Sequence, residues 1–305
     1  MLTFIVEENC EDREKYIYYT EQLKEKITSI VLSQKLDSLR YFVVADKDTN
    51  RYLESVNKYA NILNQSVAST DNEIYSCIGK TIEGCSSEGA YSQVIVVRSV
   101  LIEGMYISLL IKNGILTEPA QDIVKDGDYS LVSVVHEIGH AVNNANIFHL
   151  RHFVDNQVRY SLNNEIEKYI DKLSFNTWGE YFAESFAYAT LRTMDIAADD
   201  KETELIECVE GYSKGKKIEQ VIERVRQILY DFAHCSARLH VQKNKNYDFQ
   251  RYADHEDMLR YEPFLTRIET DLIGLMDKYP EWNVDICMKE LSKRIQELIE
   301  YEIEN

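Results

Sequence analysis

The spacing of apolar and polar residues predicts helices separated by a few short strands. In residues 12–36, apolar side chains recur at helical intervals among Glu and Lys, and residues 52–63 repeat this pattern. Residues 41–45 and 92–97 are rich in β-branched and aromatic residues and predict strands, and we expect another strand over residues 105–111. The first third of the chain is therefore predicted to mix strands with helices.

The rest of the chain is predicted to be almost entirely helical. Residues 129–144 and 178–194 each carry apolar side chains at helical spacing. Residues 201–305 continue as helix, which we expect to break near Pro263 and Pro280. Together these elements predict an α+β fold with a small sheet and a helix-rich C-terminal third.

Composition agrees with a helix-rich globular protein and argues against one class of partner. Of the 305 residues, 45% are hydrophobic and 28% are charged, and only 3 Pro and 11 Gly interrupt the pattern. The formal net charge is −18 at pH 7. Nucleic-acid binding depends on neutralising phosphates with Lys and Arg, so this charge argues against a nucleic-acid partner.

The sequence predicts a cytoplasmic protein without a membrane partner. The first residues lack the basic start and the long apolar run of a secretory signal. The most apolar stretch, residues 94–111, is interrupted by Arg98 and Glu103, and the six cysteines include no CxxC pair. We therefore expect reduced thiols in the cytoplasm, although export as an effector by a signal-independent route would be compatible with the same sequence.

Candidate chemistry is concentrated in the segment His136-Glu137-Ile138-Gly139-His140. On a helix, residues four apart lie on one face, so His136 and His140 can share one Zn²⁺. Neutral imidazoles bind zinc without cancelling its charge, and Glu137 beside them can take a proton from the water that attacks a carbonyl group. This is the HExxH pattern of zinc peptidases. The alternative is a helix that carries two histidines by chance, but a buried His and Glu set without partners would be costly.

A catalytic zinc requires a third protein ligand and one open position. A third histidine is excluded, since the positions at which the extended motif carries Gly and His are Asn143 and Asn146. Residues 178–187 instead predict a helix on which Glu180 and Glu184 share one face. We expect Glu180 to bind the metal and Glu184 to hydrogen-bond a ligand histidine. The alternative is a pair of exposed glutamates on a surface helix.

The helix pair with HEIGH at residues 136–140 and GEYFAESFA at residues 179–187 resembles the zincins whose third ligand is a glutamate. The second helix is similar to those of the anthrax lethal factor catalytic domain and of the phage-repressor-cleaving zinc peptidases. The resemblance covers residues 91–194 at most, and only the two short motifs are specific. It implies a zincin-like fold with a small mixed sheet over the active-site helix. We accordingly place a catalytic domain in residues 1–195 and a helical C-terminal region in residues 196–305.

The resemblance also concerns how substrate and transition state would be bound. In zincin-like folds the edge strand binds substrate as an added strand, which makes Val94, Ile95 and Val96 candidates for that strand. One departure is that lethal factor has an oxyanion-stabilising tyrosine seven residues before its ligand glutamate, where this chain has Leu173. Another donor would have to serve, and the candidates are Tyr169, Tyr181, Tyr188, His234, Arg238 and His240.

We therefore expect a zinc-dependent metallopeptidase that hydrolyses a protein or peptide substrate, with Zn²⁺ as cofactor and Glu137 as general base. One alternative is a regulatory or effector peptidase with a single protein target, in which the helical C-terminal third is a docking module. Another is a non-catalytic binding protein with a structural zinc, whose site a fourth ligand such as His149 or His152 would close. Cleavage specificity and oligomeric state stay open.

Overall fold

The chain folds as a helix-rich mixed α/β structure with a small mixed sheet. The computed structural model describes residues 2–64, 78–85, 90–116, 121–161, 165–191, 199–210, 218–252, 254–281 and 284–304. The chain groups into two compact units, residues 1–145 and residues 146–305. This division does not coincide with the boundary predicted at residue 195, because the helix that contains Glu180 packs against helices that follow it in the chain.

The first unit contains a four-stranded sheet, in which the strands are ordered β1-β2-β4-β3. Strands β1, β2 and β4 are parallel, and β3 runs antiparallel to β4. Strands β2 and β4 confirm the two strands predicted at residues 41–45 and 92–97. The elements of this unit are β1 (Thr3–Val6), α1 (Arg13–Ser33), β2 (Leu39–Ala45), α2 (Thr49–Ile62), β3 (Gly79–Cys85), β4 (Tyr91–Arg98), α3 (Ser99–Lys112) and α4 (Gln121–Ser161) as far as residue 145.

Helices cover both faces of this sheet. On one face, Tyr52 and Val56 of α2 pack with Val43 and Val96 in a buried cluster. Side chains alternate along a strand, so Gln93 points to the opposite face. There its Nε2 donates a hydrogen bond of 2.9 Å to the backbone oxygen of Ala141 in α4. The sheet is therefore buried between α2 and α4, and α4 contains the HExxH segment.

The strand predicted over residues 105–111 is wrong, because these residues belong to helix α3. A short apolar run does not by itself distinguish a buried strand from a buried helix. Close packing of α3 with α4 accompanies the helical conformation. A Cβ atom at Gly127 would lie 2.5 Å from Ser108 Cβ and 2.7 Å from the backbone oxygen of Gly104, so only glycine permits this approach.

The second unit is built from helices. Helix α5 packs against α7 and α9, and α8 packs against α9. The break predicted at Pro263 is wrong, since this residue lies inside α8; Leu265 and Ile268 after it are fully buried, and their packing outweighs the lost backbone hydrogen bond. Helix α8 ends before Pro280, as predicted. The elements are α5 (Glu165–Thr190), α6 (Asp199–Glu210), α7 (Ile218–Lys243), a 3₁₀ turn (Phe249–Tyr252), α8 (Glu256–Lys278) and α9 (Val284–Glu304).

The length and apolar character of a helix decide whether it can cross a membrane. An apolar helix must be about 20 residues long to cross a bilayer. Among the described residues, no helix combines that length with sufficient apolar character.

Candidate metal and catalytic site

His136 and His140 lie on the same face of α4, one helical turn apart. Their ring centroids are 4.7 Å apart, and the ring planes are inclined at 82°. His136 is buried and His140 is half-buried. Two imidazoles bound to one tetrahedral zinc at about 2.0–2.1 Å per bond have ring centres roughly 5 Å apart. The spacing of this pair therefore fits a shared zinc ion.

Glu137 is buried beside these histidines and is held by strand β3. Thr81 Oγ1 lies 2.7 Å from Glu137 Oε2 and 2.8 Å from the Glu137 backbone oxygen. Gly79 provides the space for this arrangement, since a Cβ atom there would lie 2.8 Å from Glu137 Cγ. The carboxylate is therefore oriented by two positions on one face of β3.

The candidate substrate strand needs a correction. Val94, Ile95 and Val96 lie in β4, which pairs with β2 on one side and with β3 on the other. An interior strand has no free edge to accept an added peptide, so these residues cannot bind substrate in that way. Of the strands that the structure describes, β3 lies at this end of the sheet, and the sequence pattern did not predict it.

In the second unit, Glu180 and Glu184 lie one turn apart on α5, and His234 of α7 lies close to both. His234 Nε2 is 3.1 Å from Glu180 Oε2, and His234 Nδ1 is 3.3 Å from Glu184 Oε2. The Glu184 side chain is 3% exposed and the Glu180 side chain 22% exposed, so neither is an exposed surface glutamate. The two glutamates therefore do not form the exposed surface pair that was the alternative reading of the sequence.

Arg238, one turn after His234 on α7, fixes the other end of Glu184. Its Nε donates a hydrogen bond of 2.6 Å to Glu184 Oε1, and its guanidinium lies 5.5 Å from the Tyr188 ring. Burial opposes the charge of Arg238, but the Glu184 carboxylate outweighs it and raises the pKa of the guanidinium. Arg238 therefore stays charged and anchors Glu184.

Small residues permit the close packing of α5 with α7 that this cluster requires. Fully buried alanines occur on both helices, at Ala183 and Ala187 of α5 and at Ala233 and Ala237 of α7. Small side chains let two helix backbones approach, so that His234 and Glu180 can meet between the helices.

The pairing of His234 with Glu180 and Glu184 is the part of the site that sequence reasoning missed. From the sequence, His234 and Arg238 were only two of six candidate oxyanion donors. The available signal was their spacing of four, which on α7 repeats the spacing of Glu180 and Glu184 on α5. Of the tyrosine candidates, Tyr181 is fully buried, and burial raises the pKa of its hydroxyl.

The donor types present fit zinc better than calcium or magnesium. Imidazole nitrogens with one carboxylate oxygen are typical zinc ligands, whereas Ca²⁺ and Mg²⁺ prefer oxygen alone. The side chains of His149 and His152, which could close such a site, lie outside the described residues.

Comparison of the chain with protein-family models, with curated proteins and with solved structures finds no match.

Proposed function

We propose that the protein is a zinc-dependent metallopeptidase in which His136, His140 and Glu180 bind the metal. The observation that supports this most directly is the pair of adjacent imidazoles on α4, with the buried carboxylate of Glu137 next to them. Two nitrogen ligands with a carboxylate next to them are the parts that this class of hydrolysis needs. Glu180, which already lies beside an imidazole in its own unit, supplies the third ligand.

The chain's own residues would perform the proton transfers of peptide hydrolysis. Zinc, when bound, supplies Lewis acidity that favours attack of water on the peptide carbonyl. Glu137 accepts a proton from the attacking water and then delivers it to the leaving amine, so that the carboxylate is regenerated. His234 is our candidate to orient the proposed ligand Glu180, because its Nε2 lies 3.1 Å from Glu180 Oε2 and its Nδ1 lies 3.3 Å from Glu184 Oε2.

Substrate would bind along the edge of the sheet. Among the described strands, β3 lies at the edge of the sheet and contacts Glu137 through Thr81, so a peptide added to β3 would lie near the proposed general base. We propose β3 for this role in place of β4. Main-chain hydrogen bonds along an edge strand are largely independent of sequence, so specificity would come from pockets for the side chains.

The test of this proposal is the substitution Glu137→Gln. The variant should retain one zinc per chain, measured by elemental analysis, because Glu137 is not a proposed ligand. Hydrolysis of a quenched-fluorescent peptide library should fall by on the order of 10²- to 10⁴-fold, since general-base catalysis contributes about that much. Undiminished hydrolysis would refute the mechanism. A zinc-loaded wild type that cleaves no peptide in the library would favour the single-target or the non-catalytic alternative.

The role of His234 can be separated from metal binding by His234→Ala. We expect zinc to be retained and kcat to fall by about 10- to 100-fold, as for loss of a hydrogen bond that supports a metal ligand. The matched control is His255→Ala, since His255 is also bonded to a glutamate, Glu210, but its side chain is 39% exposed. Loss of zinc from His234→Ala alone would make His234 a ligand instead.

A further inference from the structure

Thr81 contacts the candidate general base with a single hydroxyl. Its Oγ1 lies 2.7 Å from Glu137 Oε2 and 2.8 Å from the backbone oxygen of the same residue. An ionised carboxylate and a carbonyl oxygen are both acceptors only, so the proton in this contact belongs to Thr81. The hydroxyl therefore holds the carboxylate of Glu137 near the backbone oxygen of Glu137 and limits the rotamers of that side chain.

Gly79 restricts the same side chain from a second direction. Residues 79 and 81 are two apart in β3 and face the same side of the sheet. A Cβ atom at position 79 would lie 2.8 Å from Glu137 Cγ and 3.1 Å from Glu137 Oε1. Strand β3 thus provides the Thr81 hydroxyl as a donor and, at Gly79, the space that the Glu137 side chain occupies.

The chemical nature of the partner suits a carboxylate that must accept a proton. In the second unit, Arg238 orients Glu184 and places a positive charge beside that carboxylate. A hydroxyl orients the Glu137 carboxylate through Oε2 and leaves its negative charge in place. The second oxygen, Oε1, then remains to accept the proton from water.

We infer that Thr81 is a positioning residue, whose hydroxyl on the edge strand holds the Glu137 carboxylate in the orientation needed for proton transfer. This inference rests on the proposed function. No bond to Thr81 forms or breaks in the reaction: the proton passes from water to Glu137 and from Glu137 to the amine, while Thr81 keeps its own. Thr81 also connects the general base to the strand on which we expect the substrate peptide to lie.

The activity test uses two substitutions that change Thr81 by a single group each. Thr81→Val removes the hydroxyl and nearly conserves shape, whereas Thr81→Ser removes the methyl group and keeps the hydroxyl. With the best-cleaved peptide of the quenched-fluorescent library, we expect Thr81→Val to lower kcat by about 10- to 100-fold, the usual cost of losing a supporting hydrogen bond in such a site. KM and zinc affinity, the latter measured against a chromophoric chelator, should not change. Thr81→Ser should restore kcat to within about threefold of wild type.

A second measurement uses the metal-free protein and needs no substrate. In urea, Thr81→Val should lower the midpoint of unfolding, and it should do so less in a Glu137→Ala background, because the two side chains are coupled. Equal shifts in both backgrounds would show that the contact contributes nothing and would overturn the inference.

The outcomes distinguish this inference from the proposed function. If the zinc-loaded wild type hydrolyses peptide and Thr81→Val does so at the same kcat, the positioning role is refuted and the peptidase stands. The positioning role is also refuted if Thr81→Ser is as impaired as Thr81→Val, since the hydroxyl would then not be the active group. If Glu137→Gln is fully active, both the proposed mechanism and the positioning role fail.

Discussion

Glu137 in the first compact unit and Glu184 in the second are buried carboxylates with different kinds of partner. In the first, the Glu137 carboxylate is bonded to the neutral hydroxyl of Thr81. In the second, Glu184 is bonded to the charged Arg238 and lies beside His234. A cation adds Coulomb attraction to its hydrogen bond and favours the ionised carboxylate, whereas a hydroxyl contributes the hydrogen bond without a charge.

This difference agrees with the different roles that we propose for the two carboxylates. A general base must gain and lose a proton, so a neutral partner suits the role proposed for Glu137. A supporting carboxylate must stay ionised and keep its geometry, so a cation suits Glu184. The comparison makes predictions about stability that do not depend on any enzymatic activity.

The largest effect is expected from Arg238→Ala. This change leaves Glu184 buried without its cation, and breaking a buried ion pair in this way typically costs about 3–5 kcal/mol. The side chains of Arg238 and Glu184 are 6% and 3% exposed, so solvent cannot compensate. The free energy of unfolding in urea measures the loss.

The matched control is Arg260→Ala. The Arg260 side chain is 61% exposed and pairs with Asp257 three residues earlier in α8. Exposed pairs of this kind contribute up to about 1 kcal/mol. If both variants lost equal stability, the ionic character of the Glu184 cluster would have no special weight.

A smaller effect is expected from Gly79→Ala, which tests the packing of β3 on Glu137. The added Cβ atom would come within 2.8 Å of Glu137 Cγ, and overpacking of this kind costs about 1–3 kcal/mol. Gly274→Ala is the control, because a Cβ atom there has no neighbour within 4 Å among the described residues. Since Gly274 lies inside α8, its replacement should stabilise the protein by about 1 kcal/mol. Stabilisation by both changes would contradict the close contact of β3 with Glu137.

The smallest effect is expected from Glu269→Gln, which tests a buried carboxylate with neutral partners in the second unit. Glu269 Oε1 accepts hydrogen bonds from Ser236 Oγ and from the backbone N–H of Tyr247. Burial raises the pKa of Glu269 above its ordinary value of 4.5. The folded state therefore binds this proton more tightly than the unfolded state, and wild-type stability falls as the pH rises from 4.5 through the raised pKa.

Glutamine keeps the acceptor oxygen and removes the charge, so Glu269→Gln should be the more stable protein above the raised pKa. Its advantage should shrink as the pH falls toward 4.5, where the wild-type carboxyl is protonated in both states. Unfolding midpoints of both proteins across this pH range provide the check. A difference that is independent of pH would show that ionisation of Glu269 is not its cause.

Sequence periodicity predicted the elements whose pattern is strong. Residues 12–36 form α1 because their apolar spacing matches the helical period, and the two runs rich in β-branched and aromatic residues form β2 and β4. The strand predicted over residues 105–111 was wrong because an apolar run fits a strand or a helix equally. In the structure this segment is a helix that packs closely against Gly127. Strand β3 was missed because glycine, lysine and threonine in GKTIEGC give no clear apolar alternation.

The sequence by itself determined the residue types and the local spacing of the candidate site. A spacing of four on one helix places His136 beside His140 and Glu180 beside Glu184 in any fold that keeps these helices. Only the tertiary structure decided what each side chain contacts. Strand order made β3 rather than β4 the edge and brought Thr81 to Glu137, and helix packing brought α7 to Glu180. These contacts join residues about 55 positions apart, as Thr81 and Glu137 show, and no local periodicity encodes a pairing at that distance.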